Sequence, residues 1–362
     1  AFTSAELFLI YVMGTMVSTI SGHSMMAILM GTLAQPFWFA TPENEWEQLF
    51  WRHIPAWLTV HEPQFLRGYF EGESSISLMA HIRVWLVPVL VWSGFIFALY
   101  GSLLCLGLIL RKQWMEHEKL SFPLTQLPLQ MTMGRNFFRS RGMWIGFSIA
   151  AAIRVLNGLH DLFPAAPGLP ANYRLDQFFT ERPWSAIGYT SMSFNPAIVG
   201  LAFFMPLDLA FSCWFFFWLT RAERVSASIV GWQNLYLNDR AAGAWVGIAV
   251  MALWSARRYL AQIARHIVGR KRMDDSDEPL SYRTVIILTV LSMSLVVFFC
   301  YAAGMSLWVI GVFYLLYLAF ALALGRVRAE LGPPYHEVIG INPRQMMVEI
   351  FGSRRLGGAN LT

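Results

Sequence analysis

In the stretch "AAIRVLNGLHDLFPAAPGLP", Arg154, Asn157 and Asp161 stand at i, i+3 and i+7, so they share one face of any helix formed there. The surroundings are apolar. A guanidinium near the middle of such a segment costs about 2.5–3.5 kcal/mol on insertion scales, which calls for a partner or a water-filled pocket. One reading is a ligand-facing stripe in which Arg154 holds an anionic group. The other is a structural salt bridge or snorkelling, with Asp161 capping the end of the helix. Asp208, in "FFMPLDLAFSCWFFFW", is the one acid between Glu181 and Glu223 and follows the helix-breaking Pro206 by two positions. Freed carbonyls and a carboxylate at a half-helix end can bind Na⁺ or carry a proton. The competing role is an acid that caps the amides Pro206 leaves open. Asn195, directly before Pro196, suits a kink and is a further candidate for contact with a solute.

Such residues need apolar elements around them, and the composition supplies these. Of 362 residues, 56% are hydrophobic, 15% aromatic and only 14% charged, with a mean hydropathy of +0.48. A water-soluble domain carries about 25% charged residues, so too little polar surface exists here to cover a soluble body. The expected class is an all-α polytopic transmembrane helical bundle, with membrane lipid as its first partner. The net charge of +5 arises in a few loops, as the positive-inside bias predicts, and implies no nucleic acid. Cys105, Cys213 and Cys300 lie apart in apolar stretches and read as small buried side chains. The chain has no HExxH, no GxSxG, no phosphate-binding glycine loop and no paired Cys and His. No metal, cofactor or enzymatic activity is therefore expected. His61, Glu62, Glu71 and Glu73 gather in "HEPQFLRGYFEGE", and a solvated acidic lid explains them better than an acid/base or metal site.

A span needs about 20 apolar residues. The sequence predicts spans at Ala5 to Met30, Val84 to Leu110, Met143 to Phe163, Ala241 to Ala261, Val285 to Ala303 and Leu307 to Gly325. Residues 31–83 carry Glu43, Glu45, Glu47, Glu62, Glu71 and Glu73 against Arg52, Arg67 and Arg83, whereas 111–141 and 257–283 are rich in Lys and Arg. The first segment is expected to be an extracytoplasmic loop or cap and the other two cytoplasmic loops of one transmembrane domain spanning 1–362. Within the cap, "TPENEWEQLFWRHIPAWL" reads as a surface helix with Trp46, Phe50 and Trp57 at the interface. An even number of crossings must then separate residue 165 from residue 240. The run 187–220, cut by Pro196 and Pro206, is accordingly expected to form a re-entrant hairpin or two half-helices rather than one crossing.

Gly14, Ser18 and Gly22, and again Gly94, Ala98 and Ser102, repeat at four-residue spacing and predict close helix packing. His23 reads as a hydrogen-bonded core or interface residue. Between the second and third spans, "MEHEKLSFPLTQLPLQM" places a charged elbow before Pro123 and Pro128. It is read as a re-entrant element, or else as an interfacial helix that Pro123 starts.

"RKQWMEHEKLSFPLTQLPLQM", "NGLHDLFPAAPGLP" and "PLDLAFSCWFFFWL" together resemble a bacterial polytopic membrane-protein family that is itself similar to the oligopeptide transporter (OPT) superfamily. The echo in OPT proteins is a span, a charged cytoplasmic elbow and an "FP" break, here Arg111 to Pro123. The resemblance implies many spans, internal duplication, broken hairpins and more helices than are present, so that the chain is expected to be a portion of a longer one. The function expected is cation-coupled secondary transport of a small organic or peptide-like solute at the inner (plasma) membrane. Arg154, Asn157, Asp161 and Asn195 would contact the solute and Asp208 the coupling cation. The alternative is a non-catalytic subunit that scaffolds a homo-oligomer or a larger membrane complex.

Overall fold

The computed structural model describes residues 2–22, 25–26, 28–72, 74–75, 79–132, 135–169, 172–232, 234–269, 273–332 and 342–361. His23 and Glu73, singled out above, and residues 270–272 of the basic segment 257–283 lie outside the described residues. The helices are α1 (Ser4–Ser21), α2 (Ile28–Trp38), α3 (Trp46–Leu49), α4 (Pro63–Glu71), α5 (Met79–Lys112), α6 (Pro123–Thr132), α7 (Arg135–Arg139) and α8 (Arg141–Leu162). They continue with α9 (Pro196–Ala202), α10 (Leu207–Val230), α11 (Leu237–Ile267), α12 (Tyr282–Ala302), α13 (Leu307–Leu331), α14 (Pro343–Phe351), α15 (Ser353–Leu356) and α16 (Gly358–Leu361). The one described sheet is a two-stranded antiparallel ribbon of β1 (Asn172–Arg174) and β2 (Ser191–Ser193).

Five of these helices are long and apolar enough to cross a membrane: α1, α5 with its extension to His117, α8, α12 and α13. Local chemistry sets several of their boundaries. Ser140 caps α8 by accepting from Met143 N, and Ser281 caps α12 by accepting from Thr284 N. Within the expected span Ala5 to Met30, α1 runs to Ser21 and α2 begins at Ile28, with residues 23, 24 and 27 outside the described residues. Ser18 and Thr19 both turn their hydroxyls back onto Thr15 O, at 2.9 and 2.8 Å, which bends and weakens a helix end, and Gly22 follows. α11 was expected to cross but is not among the five; glycine, tryptophan and the Arg257–Arg258 pair dilute its apolar run.

The chain forms two compact units, each interleaved in sequence. The first comprises 1–13, 120–242 and 324–337. There, Pro123 begins α6 and Pro128 lies inside it, so the tract after the elbow is helical. The backbone bends just before it, where Phe122 takes a positive φ of 44°. That bend is fastened to the end of α13: Phe122 N donates to Ala329 O at 2.9 Å and Ser121 Oγ to Glu330 O at 3.0 Å. The run 187–220 divides at Phe203–Pro206 into the 7-residue α9 and the 24-residue α10. The second piece is therefore a full-length helix rather than a short half. Its outward apolar face leaves Cys213 exposed, unlike the buried Cys105 and Cys300.

The second unit comprises 14–119, 243–323 and 338–362. Its core is the antiparallel pair α5 and α12. Ala98 and Leu99 pack with Val296 and Cys300, joined by Ile310 and Tyr314 of α13. Farther along, Cys105 and Ile109 pack with Tyr282 and Val285 and with Tyr259 and Ile263 of α11. Ala98 and Ser102 are buried, and a side chain at Gly101 would meet Ser292 Oγ at 3.1 Å; small residues bring these two helices together, as expected. The same spacing on α1 serves no such contact, since α1 has no buried residue. Phe37, Val60, Leu66 and Trp85 form another cluster under α4. The segment 41–58 is not one surface helix: α3 is four residues long, a 3₁₀ turn covers Trp51–His53, and Trp57 sits edge-on to Phe299 at 5.5 Å.

Candidate functional site: an aromatic cavity and a buried polar network

A cavity of about 560 Å³ opens in the second unit, within the 300–1,000 Å³ range typical of small-molecule sites. The first half of α5 contributes Trp92 and Phe95; the end of α12 contributes Phe299, Cys300 and Ala303; the start of α13 contributes Val309, Phe313 and Tyr314. Residues of α2, the 53–59 segment and α14–α16 complete the wall. The sequence builds this locally by putting aromatic residues at matching ends of helices that then pack in alternating direction. Trp92 Nε1 donates to Leu58 O at 3.0 Å and Trp51 Nε1 to Pro36 O at 3.0 Å, so two indoles fix the 50s segment over the helices, and Trp92 also lines the cavity.

The polar lining is largely committed elsewhere. Thr32 Oγ1 donates to Ile28 O at 2.7 Å, Thr59 Oγ1 pairs with His61 Nε2 at 3.0 Å, and Tyr314 OH meets Cys300 Sγ at 3.4 Å. His53 Nε2 accepts from Arg52 Nε at 3.0 Å. Asn360 ties the C-terminal helices to the start of α13: its Oδ1 accepts from Ser306 N at 2.7 Å, and its Nδ2 donates to Ser306 Oγ at 3.2 Å and Leu356 O at 2.8 Å. Met347 and Leu356 pack on Val309 beside it. Among the described residues no carboxylate lines the cavity, and Arg344 is its one arginine or lysine. Such a chamber suits an apolar body with a single polar or anionic end.

At the other end of α5 lies a second polar group that sequence reasoning missed. A π-helical turn, Gln113–His117, follows α5, closed by Glu118 N donating to Gln113 O at 2.9 Å. It places Glu118 where its Oε1 accepts from Gln113 Nε2 at 2.7 Å and Ser255 Oγ at 3.0 Å. Arg111 Nε donates to Glu278 Oε2 at 2.9 Å, Tyr282 OH donates to Glu278 Oε1 at 3.1 Å, and the Tyr259 and Tyr282 hydroxyls are 2.8 Å apart. The Glu278 side chain is only 3% exposed. The one signal in the sequence is an acid just before the cap of α12; nothing there announces its partner. Its arrangement fastens the 268–281 loop to α5 and needs no ligand.

The sequence-predicted residues all lie in the first unit, and none lines the cavity. Arg154 and Asp161 are exposed on α8, with half-buried Asn157 on the same face. Asn157 Oδ1 accepts from Leu169 N at 2.9 Å and so folds the following loop back onto the helix. Asn195 caps α9, accepting from Ala197 N at 3.1 Å. Asp208 is exposed in the first turn of α10, where no side-chain cap bond forms. Among the described residues, no group of three or more His, Cys, Asp or Glu could hold a metal.

Long apolar helices, a chamber of aromatic side chains and almost no strand define an all-helical protein built for a membrane. The chain belongs to the DUF6785 family, a family of unknown function whose model matches residues 1–362. No curated protein and no solved structure matches it.

Proposed function

We propose that this protein is a multi-pass, OPT-like carrier of the inner (plasma) membrane that moves a small organic or peptide-like solute by coupling to a cation. The observation that carries the reading is the 560 Å³ aromatic chamber, set among helices apolar enough to cross a bilayer. Trp92, Phe95, Phe299 and Tyr314 would hold the apolar body of the solute. Arg154, Asn157, Asp161 and Asn195, proposed for a solute's charged and polar groups, and Asp208, proposed for the cation, lie on the first unit and are tested apart from the chamber. The basic segments 111–141 and 257–283 support a cytoplasmic side for those loops and an outer side for 31–83. The test is uptake of a mixture of di- and tripeptides into proteoliposomes. Uptake should fall in Ala303→Phe, which fills the chamber, and in Arg154→Ala and Asp208→Ala. Unchanged uptake in all three would remove the proposal.

A second reading has its own support. Neither α1 nor α8 has a single buried residue, so these apolar helices present complete faces to lipid or to another helix. A scaffolding subunit would use them for a second copy or a larger complex. Purification in mild detergent followed by mass measurement decides the matter: a lone monomer rules out scaffolding.

A further inference from the structure

The first unit contains a group of charges that the carrier reading does not use. Arg221 and Arg224 stand one turn apart on α10, against the 3₁₀ turn Trp184–Ile187 and the glycine that ends it. Arg221 Nη1 donates to Ile187 O at 3.1 Å. Among the described residues the Nε atoms of both arginines are buried without a hydrogen-bond partner, which leaves each charged donor unsatisfied after its desolvation. Burial and the like charge of Arg224 both press against the Arg221 cation, and only the Asp176 carboxylate offsets them. Asp176 is itself engaged, with Arg174 Nη2 at 2.6 Å and Thr190 N at 3.2 Å. Glu223, between the two arginines in sequence, is taken by Arg240 at 2.9 and 3.2 Å. Arg221 thus shares Asp176 with Arg174, and among the described residues Arg224 has no ion pair with a carboxylate.

Gly188 makes the approach. Its φ of +69° lies where L residues rarely go, and a Cβ there would fall 2.7 Å from Arg224 Nη1. The turn therefore holds a bare backbone against the guanidinium. N-terminal to the pair, α10 exposes Phe211, Trp214, Phe216 and Trp218, and Arg221 lies over the Phe217 ring at 4.9 Å. An aromatic girdle followed by uncompensated arginines is the pattern of a helix passing from acyl chain to headgroup depth.

We propose that Arg221 and Arg224, with the 187–190 turn, form a binding site for a phosphate group, which the planar guanidinium fork matches in geometry and charge. The phosphate belongs either to a lipid headgroup or to a soluble phosphate, and the experiment separates the two. The site does not depend on the carrier reading.

The purified chain in a neutral sugar detergent is mixed with phosphatidylglycerol or with inorganic phosphate, and its thermal midpoint is recorded. Either probe should raise the midpoint, phosphatidylglycerol alone if the source is lipid and both if the site takes free phosphate. In Arg224→Gln the rise should vanish; among the described residues Arg224 has no bond to lose, so the starting midpoint should hold. If the glutamine variant does not fold, Arg224→Lys should retain a smaller rise, because the charge stays and the fork is lost. Native mass spectrometry of the same samples counts retained lipid directly. No rise with either probe, or an equal rise in the Arg224 variants, overturns the proposal.

Discussion

Arg111 donates to Glu278 at 2.9 Å across 167 residues of sequence, joining the end of α5 to the loop that leads into α12. The carboxylate is almost wholly enclosed whereas the arginine is about a third exposed. Removing the arginine strands a buried charge, so Arg111→Met should destabilise the chain by roughly 1.5–3 kcal/mol, the range for a hydrogen bond to a charged group. The double replacement Arg111→Met with Glu278→Met should cost less than Arg111→Met alone. Denaturation of the parent, the single and the double variant in detergent reads this; a double variant that costs as much as Arg111→Met alone, or more, contradicts it.

Asn360 closes one wall of the chamber through its three bonds to Ser306 and Leu356. Asn360→Ala leaves Ser306 N unsatisfied, at a cost of about 1–3 kcal/mol. Hydrogen exchange in 343–361 should accelerate while α5 and α12 keep their protection. Uniform acceleration across the chain would show that the C-terminal helices do not open separately.

His61 gives a pH dependence. Burial lowers its pKa from the ordinary 6.5, with Glu62 opposing in part, so the folded chain favours the neutral ring. A neutral ring is also what the contact with Phe37, 4.1 Å between centroids, accommodates. The stabilisation is complete above the unfolded value of 6.5 and is lost as the pH falls through it toward the lowered folded value. The thermal midpoint should therefore drop between neutral pH and pH 5, and the drop should shrink in His61→Gln. A midpoint that rises on acidification would reverse the assignment.

Gly188→Ala tests the arginine turn by a second route. With φ near +69° and an extended ψ, the new side chain costs about 1–3 kcal/mol in backbone strain. It also pushes Arg224 away, so the response to phosphate should disappear together with the stability. A variant that keeps the full response would show that Arg224 is free to move.

Most of the long helices could be read from apolar runs alone. α8 and α12 begin and end within three residues of expectation because a single stretch of sequence decides each one, whereas α5 starts at Met79 and α13 runs on to Leu331. Near the end of α1, Ser18 and Thr19 compete for one backbone carbonyl, an effect that mean hydropathy does not register. Pro123 was legible as a discontinuity, yet the choice between a broken tract and a helix start depends on Ala329 and Glu330, some 200 positions away. The chamber was illegible for the same reason: Thr32, Trp92, Phe299, Tyr314 and Asn360 look like ordinary span or tail residues until packing assembles them. Nothing in the sequence distinguishes Arg221 and Arg224, since the burial of their Nε atoms without a partner among the described residues is a property of the fold.

The π-helical turn after α5 holds one residue more than an α-helical turn would. Deleting any one of Gln113–His117 would turn the following backbone through about 100° and carry Glu118 away from Ser255. Those five positions thus act as a gear tooth: they set the angular phase at which the chain leaves its longest helix. Length in this stretch should be more tightly constrained than residue type.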